Sequence, residues 1–178
     1  YTAIPLLTWA AILLCLATVV GLKWLIMGRF RPVVVPLWSR YVWWNELING
    51  LYESLMAPLI TNFFGTPIAA VLLRTLGCKI GRYCYIETAL FSEFDLVEVG
   101  DHAALNAGAI MQNHLFEDRV MKSSALKVSD GCTIGNMSVV LYDTQMEPGA
   151  VLGPLSLLMK GEMMPQGCRW HGIPTVQA

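Results

Sequence analysis

Charge is scarce in this sequence. Charged residues make up 14 % of the chain, against roughly 25 % in an average soluble domain. The deficit points to membrane contact or to heavily buried surface. The net charge is −1, so nothing in the totals argues for a nucleic-acid partner. Cysteine patterns for metal are missing as well. Cys15, Cys78, Cys84, Cys132 and Cys168 contain no C-x-x-C pair and read as reduced, buried thiols, which fits a reducing compartment. The three histidines, His102, His114 and His171, lie 12 and 57 residues apart. That spacing places no two on one turn as ligands, and no metal site is expected. A Gly-rich phosphate loop, a G-x-S-x-G elbow and a Cys–His dyad are also absent. The chain starts at Tyr1 rather than Met, and reads as a piece cut from something longer.

What the sequence does have is a period of six. Val128, Ile134, Val140, Met146, Leu152, Leu158, Met164 and Trp170 are all large and apolar. The residues four further on are Cys132, Ser138, Thr144, Ala150, Ser156, Glu162 and Cys168, all small except Glu162. A sustained repeat of this kind is neither helical nor a simple strand alternation. It predicts a mainly β fold, a left-handed parallel β-helix of hexapeptide repeats. Each hexapeptide makes one flat face and its turn, with the large residue inside the prism and the small one near a corner. About four coils are expected over residues 77–172. Leu76–Gly81 opens the prism, and Trp170-His171-Gly172-Ile173-Pro174 ends it.

Ahead of the prism, residues 1–22 carry no charge, and with Lys23 snorkelling the apolar run reaches Met27. At 1.5 Å per residue this spans a bilayer core of ~30 Å. A transmembrane helix over 1–28 is therefore expected, and a cleavable signal peptide, which needs a basic start and a shorter core, is not. Lys23, Arg29, Arg31 and Arg40 all follow the span, which predicts a cytoplasmic prism on the inner (plasma) membrane. Residues 29–76 form a juxtamembrane segment and 77–178 the β-helix domain. Trp38, Tyr41, Trp43 and Trp44 are either an interfacial belt or a packed aromatic cluster. The uncharged stretch 54–73 is broken by Pro58, Asn62, Gly65 and Pro67. It reads as short helices on the cytoplasmic leaflet rather than a second crossing, and 45–75 as a cap on the prism.

The repeat has two irregularities, and function concentrates in such places. The phase slips by one residue across Phe91–Leu96, in a stretch holding Glu87, Glu93, Asp95, Glu98 and Asp101. After Met111 the count would land on Glu117, yet the next in-phase apolar residue is Val128, so 11 residues leave the prism as a loop near 112–127. That loop carries His114, Glu117, Asp118, Arg119 and Lys122. His114 is either a general base for an attacking hydroxyl or amine or a surface histidine without a task. The acidic residues either hold a cationic substrate or occupy solvated corners. Asn106 and Asn113 either orient His114 and bind a carbonyl, or satisfy turn backbone. Tyr142 breaks the next hexapeptide and is expected at the same corner.

The prism, its extruded loop and its histidine resemble the hexapeptide-repeat acyltransferases. More narrowly, SEFDLVEVGDHAALN, QNHLFEDRVMK, LYDTQMEPGAVLGPLSLLMKGE and RWHGIP resemble the C-terminal region of ε-poly-L-lysine synthetase-type nonribosomal peptide synthetases. The membrane helix followed by PLIxxxxGTP does so too. The resemblance implies aminoacyl transfer from a thioester to an amine, forming peptide or isopeptide bonds in a homopoly(amino acid). It implies no cofactor in this chain. The thioester would sit on 4′-phosphopantetheine of a partner carrier domain, itself loaded by an adenylation domain. It implies three prisms about an axis, as a homotrimer or as tandem copies. On this reading His114 is the base, with Asn106 or Asn113 fixing its tautomer or polarising the carbonyl. Glu93, Asp95, Glu117, Asp118 and Tyr142 would bind the amine. A non-catalytic membrane-anchored scaffold and a CoA-dependent acetyltransferase are the alternatives.

Overall fold

The computed structural model describes residues 3–177. Its first element, α1 (Ala3–Leu22), runs on through a π-helical turn to Met27. Among the described residues it is the one helix long and apolar enough to cross a membrane. Its apolar side chains, among them Leu6, Leu7, Leu13 and Leu14, are exposed. A helix apolar on all sides and uncovered by its own chain suits a lipid environment. A short strand follows, β1 (Val33–Pro36), which the periodicity did not announce.

The cap comes next. Ser39 starts α2 (Arg40–Leu51) by accepting a hydrogen bond on its side chain from the Val42 amide. The chain then passes through a π turn at Tyr52–Met56, α3 (Ala57–Ile60), a 3-10 turn and α4 (Pro67–Thr75). No second crossing helix exists over 54–73, where Pro58 and Pro67 each start a new short helix. Ile48, Tyr52, Met56, Ile60, Leu73 and Leu76 are fully buried in one core with Ile86 and Phe91 of the prism. The cap thus closes the first coil, and the Tyr52 hydroxyl donates to the Ala89 carbonyl at 2.7 Å.

The prism is the expected left-handed parallel β-helix. Its first coil holds β2 (Lys79–Ile80), β3 (Tyr85–Ile86) and β4 (Leu90–Phe91), and its second β5 (Val97–Val99), β6 (Ala104–Leu105) and β7 (Ile110–Gln112). There the chain leaves as β8 (His114–Glu117) and β9 (Val120–Ser123). It re-enters as β10 (Leu126–Val128), β11 (Thr133–Ile134) and β12 (Val139–Leu141), then β13 (Thr144–Met146), β14 (Val151–Leu152) and β15 (Leu157–Leu158). A partial fifth coil has β16 (Met163–Met164) and β17 (Arg169–His171). The register stacks three apolar columns: Ile80–Val99–Val128–Met146–Met164, Ile86–Leu105–Ile134–Leu152–Trp170 and Phe91–Met111–Val140–Leu158.

The small-residue phase has its own reason. Ser138 Oγ donates to the Gly153 carbonyl at 2.7 Å, and Cys132 Sγ lies 3.1 Å from the Glu147 carbonyl. Short side chains at the corners therefore satisfy turn carbonyls of the next coil. At Gly135 a Cβ would collide with the backbone of Gly153 and Pro154, so stacked turns leave no room for a side chain there. After β17 the chain does not simply leave the last coil. It turns back as β18 (Val176–Gln177), antiparallel to β17, and covers that edge.

The segment expected as a loop is a β-hairpin. β8 and β9 pair antiparallel with Glu117 opposite Val120, and β1 adds to the far side of β9. Asp118 and Arg119 both have positive φ, 52° and 64°, as a two-residue hairpin turn requires. A strand from the juxtamembrane segment therefore clamps the extruded element to the cap.

Candidate active site

Two irregularities of the repeat meet at one point. Asn113 is fully buried, with its side-chain amide donating to the Leu96 and Ser124 carbonyls at 3.2 Å. Strand alternation then turns the next residue, His114, the other way. Glu93 ends the first coil with φ 35° and ψ 59°, a left-handed conformation costly for a side-chain-bearing residue. That conformation goes with a fully buried carboxylate. Its oxygens lie 2.8 and 2.9 Å from His114 Nδ1, and Asn45 Nδ2 donates to it at 2.9 Å.

The pair sets the protonation of the ring. Burial alone would press the His114 pKa down, but the hydrogen bond to Glu93 and its charge, with Glu46 adding from α2, outweigh burial and raise it. When His114 is neutral, Nδ1–H donates to Glu93 and Nε2 carries the lone pair. Among the described residues no side chain hydrogen-bonds Nε2. This is the arrangement of a base held by a carboxylate.

His114 also lines a cleft of about 970 Å3 between the cap and the prism face carrying β4 and β7. One helical stripe supplies the cap wall: Glu46, Asn49, Gly50, Glu53 and Ala57. The prism wall includes Glu87, Leu90, Ile110 and Gln112. Three carboxylates line the cleft and no lysine or arginine does. Its chemistry suits a cationic ligand beside a base.

The other sequence candidates are used differently. Glu93 was expected to hold a substrate cation; buried as it is, it orients His114 instead. Asp95 accepts from Lys23 Nζ at 2.6 Å and from the Phe30 amide at 3.1 Å, tying the end of α1 to the prism. Glu117 pairs with Lys122 at 3.2 Å and with Lys160, whose hydrogen bonds hold its carboxyl below the usual range. Asp118 sits at the exposed hairpin tip. Tyr142 is buried, near Lys160. Asn106 Nδ2 donates to the Ile134 carbonyl at 2.9 Å, bridging two coils. Neither Asn106 nor Asn113 touches His114 through its side chain, and none of Asp95, Glu117, Asp118 and Tyr142 lines the cleft. His102 stacks on Tyr83, and His171 lies in β17.

Sequence reasoning missed Asn45, Glu46, Asn49 and Glu53. Their signal was present as polar residues spaced three, four and seven apart in a helix otherwise read as an aromatic belt. Tyr41 belongs to the same surroundings: burial, and then the charge of Glu93, push its hydroxyl up to about 12. Among the described residues no three His, Cys, Asp or Glu side chains gather to hold a metal ion.

No family model matches the chain. The structure is similar to a maltose O-acetyltransferase from Clostridium difficile 630, with 16 % identity, TM-score 0.49, and 71 % of this chain and 83 % of that one covered. It is also similar to a hexapeptide-repeat-containing acetyltransferase from Vibrio cholerae, with 13 % identity, TM-score 0.48, and 68 % and 84 % covered. In sequence, 98 % of the chain is 41 % identical to a segment of the delta-poly-L-ornithine synthetase of Acinetobacter baumannii (strain AB307-0294), and spans 13 % of that protein's length.

Proposed function

We propose that this chain is an acyl-transfer unit that joins amino acids, moving an aminoacyl group from a carrier-bound thioester to an amine. The observation that carries the proposal is the Glu93–His114 pair, with His114 lining a cleft also lined by Glu46, Glu53 and Glu87. The likeness to a segment of a poly-ornithine synthetase supports the same reading, and the substrate class we propose from it is a diamino acid. The reaction balances simply. The acceptor ammonium enters the negative cleft and loses one proton to solvent. The amine nitrogen attacks the thioester carbon while Nε2 of His114 takes its second proton. The C–N bond forms, the C–S bond breaks, and the imidazolium returns the proton to the leaving thiolate. Glu93 holds the imidazolium in place through Nδ1–H. The cleft carboxylates favour capture of the cation and oppose its deprotonation, so a separate base is needed.

The alternatives fit less well. A scaffold has no use for a carboxylate buried under a histidine, since burying an ion costs several kcal/mol unless it is paired. CoA carries phosphates, which three carboxylates would repel and no lining lysine or arginine would hold. Carrier and adenylation partners, neighbouring prisms, and an inner-membrane anchor with the prism on the cytoplasmic side belong to the same proposal. It is tested by His114→Gln in the intact membrane enzyme, with product followed by mass spectrometry. The expected result is a fall in kcat of about 10²–10⁴-fold. Unchanged product formation overturns the proposal.

A further inference from the structure

We infer that the cap is set into the leaflet that α1 crosses, with the outer face of α2, α3 and α4 against lipid acyl chains and the cleft on its inner side. The inference rests on the membrane anchor proposed above and deepens it. The partner of this face is lipid, rather than water or a second protein segment.

Depth comes from α1. Val19 is 1 % exposed, and with Leu16 and Val20 it packs into the core that holds Ile48, Tyr52 and Met56 of the cap. From Val19 to Met27 is about 12 Å along the helix. A cap that covers Val19 therefore stands beside the last turns of the spanning helix, at the depth of the leaflet. Interfacial helices sink their apolar faces by about 5–10 Å. Charge is sorted to match. Among the described residues of the cap, Arg40, Glu46, Glu53 and Arg74 are the charged ones. Arg40 starts α2, Glu46 and Glu53 line the cleft, and Arg74 Nε donates to the Ile80 carbonyl of the prism at 2.9 Å. Trp43, Leu47, Leu55, Ile68 and Val71 are 39–59 % exposed, and none of them lines the cleft. Uncovered apolar side chains with no charge among them fit hydrocarbon. The polar side chains between them are satisfied without water. Asn62 donates to the Pro58 carbonyl at 3.0 Å, and the Thr66 and Thr75 hydroxyls donate to the Phe63 and Leu72 carbonyls at 2.6 Å. Thr8 and Thr18 do the same to Ile4 and Leu14 within α1. Hydrocarbon demands such internal pairing. Trp24 Nε1 donates to the Thr75 carbonyl at 2.8 Å and ties α4 to the end of α1. Arg29, Arg31 and Arg40, all exposed, supply cations for the headgroups. α2 thus separates lipid, at Trp43 and Leu47, from the cleft, at Glu46 and Gly50.

The test uses the intact enzyme in its own membrane. The photoreactive residue p-benzoylphenylalanine is placed, one position at a time, at Leu47, Leu55 and Val71 of the cap. Leu13 of α1 and Asp118 at the hairpin tip serve for comparison. All five side chains are exposed, so the probe displaces no packing. After irradiation the labelled peptides are weighed by mass spectrometry. The expected result is a mass gain of one phospholipid at Leu13 and at all three cap positions, and none at Asp118. Cap positions that join to another protein segment show that protein covers this face, and overturn the inference. Cap positions that form no adduct show that water covers it, and overturn the inference equally. Either outcome, with phospholipid still found at Leu13, leaves the membrane anchor standing. Phospholipid at the cap positions but not at Leu13 supports the lipid face and removes α1 as a span. The acyl-transfer reading is decided separately by His114→Gln.

Discussion

At the scale of single residues, the buried Glu93 carboxylate decides what His114 is. A base must be unprotonated to work, and Glu93 raises the pKa of the ring. The acid limb of kcat/KM is therefore expected above the ordinary imidazole range of about 6.5. Glu93→Gln removes the charge, so that limb should move to lower pH, while kcat falls by about 10²-fold or more through lost orientation. A pH–rate profile checks both. A limb that stays in place shows that another group titrates. The same shift has a signed effect on stability. Because the folded pKa of His114 is raised, the pair stabilises the protein fully below about pH 6.5 and loses that contribution as pH rises through the folded value. Thermal midpoints of wild type and His114→Gln should converge as pH rises.

At the scale of elements, the short 93–95 segment joins three parts of the chain. Glu93 contacts α2 and the hairpin, Phe94 packs edge-on against Tyr52 and Phe30, and Asp95 takes Lys23 from the end of α1. Lys23 is fully buried and the Asp95 side chain 11 % exposed. Removing one partner of such a pair leaves an uncompensated charge, which costs about 3–5 kcal/mol. Asp95→Asn is expected to lower the stability of the folded protein by that amount, with a lower melting temperature, and to loosen α1 from the cap, whereas Asp118→Asn at the exposed tip should change nothing measurable. Hydrogen exchange in the α1–prism contact reads the difference. The Tyr52 hydroxyl makes a second such link. Tyr52→Phe removes one of two donors to the Ala89 carbonyl, which keeps the Phe91 amide at 3.1 Å, an expected cost of about 1 kcal/mol in chemical denaturation.

At the scale of the whole molecule, the prism is a stack in which each coil buries its neighbour. Ile134 sits mid-column between Leu105 and Leu152, fully buried. Ile134→Ala should cost about 2–5 kcal/mol and lower the unfolding midpoint of the whole prism. Placement relative to the membrane is checked separately. Trp38 is 80 % exposed beside the basic residues that follow α1. A cysteine placed at Trp38 is expected to react with a membrane-impermeant maleimide in inside-out vesicles and not in intact cells. The opposite pattern reverses the proposed orientation.

The sequence by itself determined the prism, the apolar helix and the place of His114 at the break in the repeat. Their rules are local and periodic: a side chain every sixth position for a flat face, a long uncharged run for a helix. His114 stood out because it opens the insertion that breaks the repeat. Its partner, its cleft and the use of the acids were decided only in three dimensions. Glu93 reaches His114 from 21 residues earlier and Asn45 reaches Glu93 from 48 residues away, distances over which no period operates. Acidic side chains of the two irregular stretches turned in different directions: Glu93 to a histidine, Asp95 to the lysine that ends the apolar helix, Glu117 to the lysine of a later coil. Strand β1 found its place only when the hairpin offered an edge, because a strand pairing is a property of two segments and neither carries it alone.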